Sequence, residues 1–229
     1  MESPVCPRDA IQNDPAFRLI ETLGRHPGEG FRHLEQHLAR MARSAAAFGI
    51  PFDPAQARAM LAEAVGGTPL RCRLTVAADG QAELATAPLG STPAEWRLGI
   101  AQARLEAEDF WLRYKTTRRA LYDTARAALP EGVDELLFLN RRGEVCEGTI
   151  TNLFVTRADG QVVTPPLSCG LLPGILRQVM LERKECREAV LDLQDLQDAK
   201  AIHIGNSLRG LIPARLVWQR HSRGRTPPG

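Results

Sequence analysis

Two prolines and a glycine fall within the seven residues Ala87-Pro88-Leu89-Gly90-Ser91-Thr92-Pro93. Proline fixes φ and offers no backbone donor, and glycine weakens any regular element it interrupts, so this stretch is the best linker candidate in the chain. It divides the chain of 229 residues into two units, 1–90 and 91–220, each long enough to enclose a core of its own. The remaining residues, 221–229, are polar and rich in proline and glycine, and are expected to be a disordered tail.

The first unit reads as α+β. Phe17 to Thr22 has strand composition, and His26-Pro27-Gly28-Glu29-Gly30 is a hairpin-like turn. Leu34, Leu38, Met41, Ala45 and Phe48 recur at helical spacing until Gly49 and Pro51 stop them. Asp53-Pro54 opens a second helix to about Val65, ended by Gly66-Gly67. Arg71 to Ala77 and Gln81 to Thr86 pair around Asp79-Gly80. In the second unit, Trp96 to Ala101, Leu136 to Asn140, Leu153 to Thr156 and Ala201 to Ile204 read as strands. Thr116 to Leu129 reads as a helix, and another opens at Pro173-Gly174 and runs to about Glu185.

Composition removes several classes of function. A formal charge of +2, with acids interleaved among the bases, leaves no positive stripe for a phosphate backbone, so no nucleic-acid partner is expected. No apolar run approaches the roughly 20 residues that span a bilayer, and Met1-Glu2-Ser3-Pro4 does not begin a secretory signal. A cytoplasmic protein without a membrane partner is expected. Cys6, Cys72, Cys146, Cys169 and Cys186 are odd in number and scattered, and no third ligand stands near His33 and His37, so no metal site is expected.

Only three lysines stand beside 26 arginines. Arginine is always protonated, whereas a desolvated lysine can present the neutral amine that attacks a carbonyl to form a Schiff base. Lys184 and Lys200 lie in charged, polar surroundings. Lys115 follows Phe110, Trp111 and Tyr114 and precedes Arg118 and Arg119, a setting expected to depress an amine pKa. Three later segments bear on it. Glu147-Gly148-Thr149-Ile150-Thr151-Asn152-Leu153-Phe154 carries an acid into an apolar strand. Thr164-Pro165-Pro166 followed by Leu172-Pro173-Gly174-Ile175-Leu176-Arg177 opens a helix whose free N–H groups suit a phosphate. Gly205-Asn206-Ser207-Leu208-Arg209-Gly210 adds a hydroxyl and further donors after a strand.

In order and spacing these segments, together with His37-Leu38-Ala39-Arg40-Met41, resemble the class IV (fold-type IV) pyridoxal-phosphate enzymes. That group includes branched-chain aminotransferase, D-amino-acid aminotransferase and aminodeoxychorismate lyase. The resemblance runs from about Phe17 to Pro213. It implies two domains: a small N-terminal α/β sandwich and a larger C-terminal α/β pseudo-barrel that binds the cofactor. It implies pyridoxal 5′-phosphate as cofactor, Lys115 as its anchor and proton shuttle, and Glu147 as partner of the pyridine nitrogen. Arg40, Ile175, Leu176, Ser207 and Asn206 would bind the phosphate, and Arg118 and Arg209 would face the substrate. Many relatives have threonine where this chain has Leu176, so a hydroxyl contact is missing there.

The run Lys115-Thr116-Thr117-Arg118-Arg119, with Leu121-Tyr122 and the Gly205–Gly210 turn, most resembles the aminodeoxychorismate lyase-like members. Branched-chain enzymes usually place tyrosine five residues after the lysine, where this chain has Ala120. The resemblance therefore implies a lyase that releases pyruvate and forms 4-aminobenzoate for folate. The alternatives are a branched-chain or D-amino-acid aminotransferase and a catalytically silent interaction protein on the same fold. It also implies a small amino substrate, a homodimer, and a link to aminodeoxychorismate synthase.

Overall fold

The computed structural model describes residues 9–11 and 14–217; the expected disordered tail at 221–229 lies outside them. The chain begins with β1 (Arg18–His26), β2 (Gly30–Phe31), α1 (Leu34–Phe48), α2 (Pro54–Ala62), β3 (Leu70–Ala77) and β4 (Ala82–Pro88). The four strands make an antiparallel sheet in the order β2-β1-β3-β4. Helix α1 lays Leu38, Met41, Ala45 and Phe48 on this sheet against Leu19, Leu23, Leu74 and Val76, the 3.6-residue stripe of the sequence turned inward. Gly49 ends the helix at φ 64°, a left-handed cap suited to glycine. Asp53 starts α2 by accepting from the amide of Ala55 at 2.8 Å, with Pro54 in the first turn, an arrangement proline tolerates because that N–H would be free anyway.

Beyond residues 89–95 come β5 (Trp96–Leu105), α3 (Ala120–Ala127), β6 (Glu135–Asn140), β7 (Val145–Gly148), β8 (Asn152–Thr156) and β9 (Val162–Thr164). They are followed by α4 (Ile175–Glu182), β10 (Arg187–Glu188), α5 (Leu193–Gln197), β11 (Ala201–Asn206) and β12 (Gly210–Leu216). Their sheet runs β10-β9-β8-β11-β12-β5-β6-β7, and a β7–β8 pairing closes six of these strands into a barrel. The closing register sets Glu147 opposite Asn152. Leu98, Leu137, Leu139, Leu153, Val155, Ile204 and Ile212 fill the interior. The expected α+β class, a separate small sheet before a barrel-like second sheet, is what the chain adopts. Among the described residues, no helix is long and apolar enough to cross a membrane.

The expected helix from Thr116 is a correction: α3 starts at Ala120. Thr116 instead forms a β-bridge with Leu19, the amide of Ile20 donates to the carbonyl of Lys115 at 2.8 Å, and that of Thr117 to Arg18 at 2.9 Å. The β2 side of β1 pairs only Arg25 and His26, which leaves Arg18–Ile20 with an open edge. The two β-branched threonines complete that edge, and tertiary pairing outweighs helix propensity. The helices expected to reach Val65 and Glu185 end at Ala62 and Glu182.

Strands β7, β9 and β12 and helix α5 were not expected. Pro213 sits inside β12, where pairing with β5 begins only at Ala214, so the missing N–H takes no bond from that neighbour.

Candidate active site

Lys115 lies where the second unit touches the first. The segment before it packs into the core of the small sheet: Phe48 stacks on Trp111 at 5.5 Å and meets Tyr114 edge-on at 4.9 Å. With the strand pairing to β1, this fixes the backbone on both sides of the lysine. Its side chain is half-buried and makes no hydrogen bond or ion pair among the described residues. Burial, then Arg40 and Arg119, pull its pKa down from 10.5 to about 8, against the opposing pull of Glu21 and Glu147. A protonated amine there is short of partners, so the neutral form is accessible near neutral pH.

The three aromatic residues act differently from the sequence expectation. They are core residues of the small sheet that position the amine, and the arginine that faces it is Arg119 rather than Arg118. Arg118 lies over the Trp111 ring at 4.5 Å and reaches Asp14 at 3.2 Å. Arg119 donates to the carbonyl of Thr149 at 2.8 Å and to Asp123 at 2.8 Å.

Glu147, on the barrel-closing strand β7, is 5% exposed. It accepts from the Tyr122 hydroxyl at 2.7 Å, the Leu172 amide at 3.1 Å and Asn152 Nδ2 at 3.3 Å. Burial raises its pKa to about 7, although the Tyr122 and Leu172 donors and the charges of Lys115 and Arg119 pull down. Three neutral donors thus fix the carboxylate in place without neutralising it. A buried carboxylate with spare acceptor capacity suits a cationic N–H such as a protonated pyridine nitrogen.

Behind it stands Glu135, fully buried, which takes the amides of Thr149 at 3.0 Å and Ile150 at 3.3 Å and the Thr151 hydroxyl at 3.2 Å. It shapes the turn between β7 and β8. Nothing at Glu135 in the sequence distinguished this acid from a surface one.

Helix α4 opens at Gly174, with Ile175 and Leu176 as its first residues and no side chain capping them; amides in a first turn have no intrahelical acceptor. A Cβ on Gly174 would collide with Asn152 Oδ1, so only glycine lets α4 start this close to the Glu147 support. Leu176 packs on Gly205 at the end of β11, which brings the β11–β12 turn alongside.

Within that turn Ser207 Oγ lies 2.8 Å from His37 Nε2. Arg40, 6% exposed, donates to the Pro173 carbonyl at 3.0 Å and grips Glu21 through Nε at 2.8 Å and Nη2 at 2.7 Å. Residues 40, 175, 176 and 207 therefore converge on one cup. Asn206 is already engaged, donating to the Ile150 carbonyl at 3.1 Å and accepting from the Arg209 amide at 3.0 Å. The Arg209 side chain turns to Thr92 Oγ1 at 3.2 Å.

An amine that ionises near 8, a buried acid at one end and a cup of free amides at the other match the reactive, ring and phosphate ends of pyridoxal phosphate in type and order. His37, Glu21, Tyr122, Arg119 and Glu135 complete the arrangement. Of these, Arg119 is among the neighbours expected to depress the amine pKa, and His37 and Tyr122 lie in motifs that carry the resemblance; Glu21 and Glu135 have no such signal in the sequence.

Comparison with known proteins gives the family. Residues 18–217 match the family Amino-transferase class IV, and the chain belongs to it. A Schizosaccharomyces pombe protein provisionally named an aminodeoxychorismate lyase is 31% identical, over 88% of this chain and 90% of that protein. A Mesorhizobium loti structure provisionally named an amino-acid aminotransferase shares 45% identity with a TM-score of 0.84, covering 88% of this chain and all of that one. The 4-amino-4-deoxychorismate lyase of Pseudomonas aeruginosa superposes at a TM-score of 0.75 with 27% identity, over 96% of this chain and 88% of that one. Two other relatives, a Thermotoga maritima protein named as a branched-chain aminotransferase and a yeast aminodeoxychorismate lyase, are matched over 43% and 36% of their own lengths.

Proposed function

We propose that this chain is a pyridoxal-phosphate-dependent 4-amino-4-deoxychorismate lyase, which splits its substrate into 4-aminobenzoate and pyruvate. The observation that carries the cofactor reading is the convergence of Lys115, Glu147 and the Arg40–Ile175–Leu176–Ser207 cup between the two sheets. Supporting the lyase is a relative of that name that aligns along nearly the whole of both chains. Arg119, whose charge acts on Lys115, suits one carboxylate of the substrate, and Arg73 on β3, within the field of Arg119, would suit a second.

When bound, the cofactor supplies an electron sink for the carbon that carries the substrate nitrogen. Lys115 Nζ would hold the cofactor and would take the proton from that carbon, since an amine that ionises near 8 exchanges protons readily at neutral pH. Glu147, kept in place by Tyr122, Leu172 and Asn152, would hold a proton at the pyridine nitrogen. The free amides of Ile175 and Leu176 and the hydroxyl of Ser207 bind the phosphate, with Arg40 supplying charge. Arg119 orients a carboxylate. This reading carries with it a homodimer and a synthase that supplies the substrate.

The Mesorhizobium loti relative, at 45% identity, favours a second reading, an amino-acid aminotransferase. Incubation with 4-amino-4-deoxychorismate distinguishes them. Equal yields of 4-aminobenzoate and pyruvate without an added keto acid are expected. Keto-acid-dependent turnover of an amino acid, with the chorismate derivative untouched, would overturn the lyase.

A further inference from the structure

Glu21 has three close ties and no part in the chemistry proposed above. It points inward from β1 at 1% exposure, held by Arg40 through two N–H groups and by His37 Nδ1 at 2.6 Å. The other nitrogen of that imidazole meets Ser207 Oγ at 2.8 Å. A carboxylate, an imidazole and a hydroxyl thus form a row from the small sheet, through α1, to the lip of the cup.

Few proton arrangements satisfy this row. Burial pushes Glu21 up, but Arg40 and the hydrogen bonds of His37 and Arg40 outweigh it and hold the acid at about 2, so above the acid range it only accepts. His37 Nδ1 must therefore carry a hydrogen. In the neutral ring Nε2 is then an acceptor, and Ser207 must spend its single O–H on it. The hydroxyl then shows only lone pairs to the cup, where a phosphate also brings only acceptors. The opposite tautomer gives no escape, because it sets a lone pair against the Glu21 carboxylate. Adding a proton resolves the conflict: Nδ1–H donates to Glu21, Nε2–H donates to Ser207 Oγ, and the freed O–H turns to a phosphate oxygen.

We propose that His37 takes up a proton when a phosphate ester enters the cup, making Glu21–His37–Ser207 a proton-linked phosphate clamp. The proposal rests on reading the cup as the cofactor's phosphate site. Glu21 from β1 and the arriving dianion favour the imidazolium. Arg40 and His33 from α1 oppose it, and Lys115 adds its charge through the field it shares with Glu21 and Arg40. His33 is itself held below its usual range by burial, then by His37, Arg183 and Arg32. His37 and Glu21 are positioning residues here; Ser207 makes the contact.

The test is calorimetric titration of the cofactor-free full chain in buffers of different ionisation heat. Pyridoxal phosphate is compared with pyridoxal, which has the same aldehyde and no phosphate. Wild type is expected to take up about one more proton per pyridoxal phosphate than His37→Asn, with no such difference for pyridoxal, and its affinity is expected to fall about tenfold more per pH unit on the alkaline side. Nitrogen chemical shifts of isotope-labelled histidine in wild type should move to imidazolium values at His37 when pyridoxal phosphate is added, a readout that requires no variant to fold. Equal proton uptake in the two proteins, or a His37 ring that stays neutral in the complex, overturns the clamp while leaving the cup intact. Failure of pyridoxal phosphate to bind overturns the cup and the clamp together.

Discussion

The amide of Ile20 donates to the carbonyl of Lys115, 95 positions further along the chain, at 2.8 Å. The lysine's backbone therefore belongs to the edge of the small sheet, and the charges acting on its amine come from both sides, Arg40 and Glu21 from the small sheet and its helix and Glu147 from the barrel. Thr117 reinforces this edge, since its hydroxyl accepts from the Arg18 amide at 2.9 Å and donates to the Ala16 carbonyl at 3.1 Å. Thr117→Ala is expected to cost about 1–2 kcal/mol of folding stability and to weaken cofactor affinity. Urea unfolding and cofactor titration check the two effects.

Arg40 and Glu21 form a buried ion pair that also bridges the two units through the Pro173 carbonyl. Arg40→Met leaves the carboxylate with only His37 and should destabilise the protein by about 3–5 kcal/mol. The double variant Arg40→Met, Glu21→Met should recover a good part of that loss, because no charge is then buried alone. Chemical denaturation of the single and double variants measures it. Equal stability for wild type and Arg40→Met would contradict the pairing.

The titrations of Glu21 and Glu147 act in opposite directions. Glu21 ionises at about 2 in the fold against an ordinary 4.5, so its contribution to stability is present above 4.5 and is lost as pH falls through 2. Glu147 ionises at about 7 against 4.5, so its contribution is full below 4.5 and is lost as pH rises through 7. The cofactor-free protein is expected to lose stability between about pH 4.5 and 7, and Glu147→Gln to flatten that fall, as read from denaturation midpoints across pH.

Gly174 gives a sharper steric prediction. An alanine there would strike Asn152 Oδ1, and Asn152 also holds Glu147 and the Leu172 carbonyl. One methyl group should therefore disturb the phosphate end and the ring end at once. Gly174→Ala is expected to lower cofactor affinity by tenfold or more, about 1.4 kcal/mol or above, with far-ultraviolet dichroism unchanged.

The sequence made the ends of this site legible wherever local chemistry carries its own signature. A rare lysine, an acid before glycine and a Pro-Gly helix start each have a mechanism that can be read from neighbours. The helix of Leu34–Phe48 was legible because its apolar stripe has one period and a glycine ends it. The segment at Thr116–Arg119 was not, because its conformation is set by the open edge of β1, about a hundred residues earlier. Glu21 and Glu135 were invisible for the same reason. A buried acid is defined by which donors the fold gathers around it, and most of those of Glu135 come from 14 to 16 residues further on. Arg118 and Arg119 are alike as letters; only the placement of Trp111 and Thr149 separates the stacked one from the one that faces the amine.

The central claim is that Lys115 carries the cofactor. Borohydride reduction of the protein loaded with pyridoxal phosphate, followed by peptide mapping, tests it most directly, since only three lysines compete. The reduced label is expected on the peptide containing Lys115 and absent from Lys115→Ala, which should also lose the visible absorbance of the loaded protein. A label on Lys184 or Lys200, or an absorbance that survives in Lys115→Ala, would contradict the account.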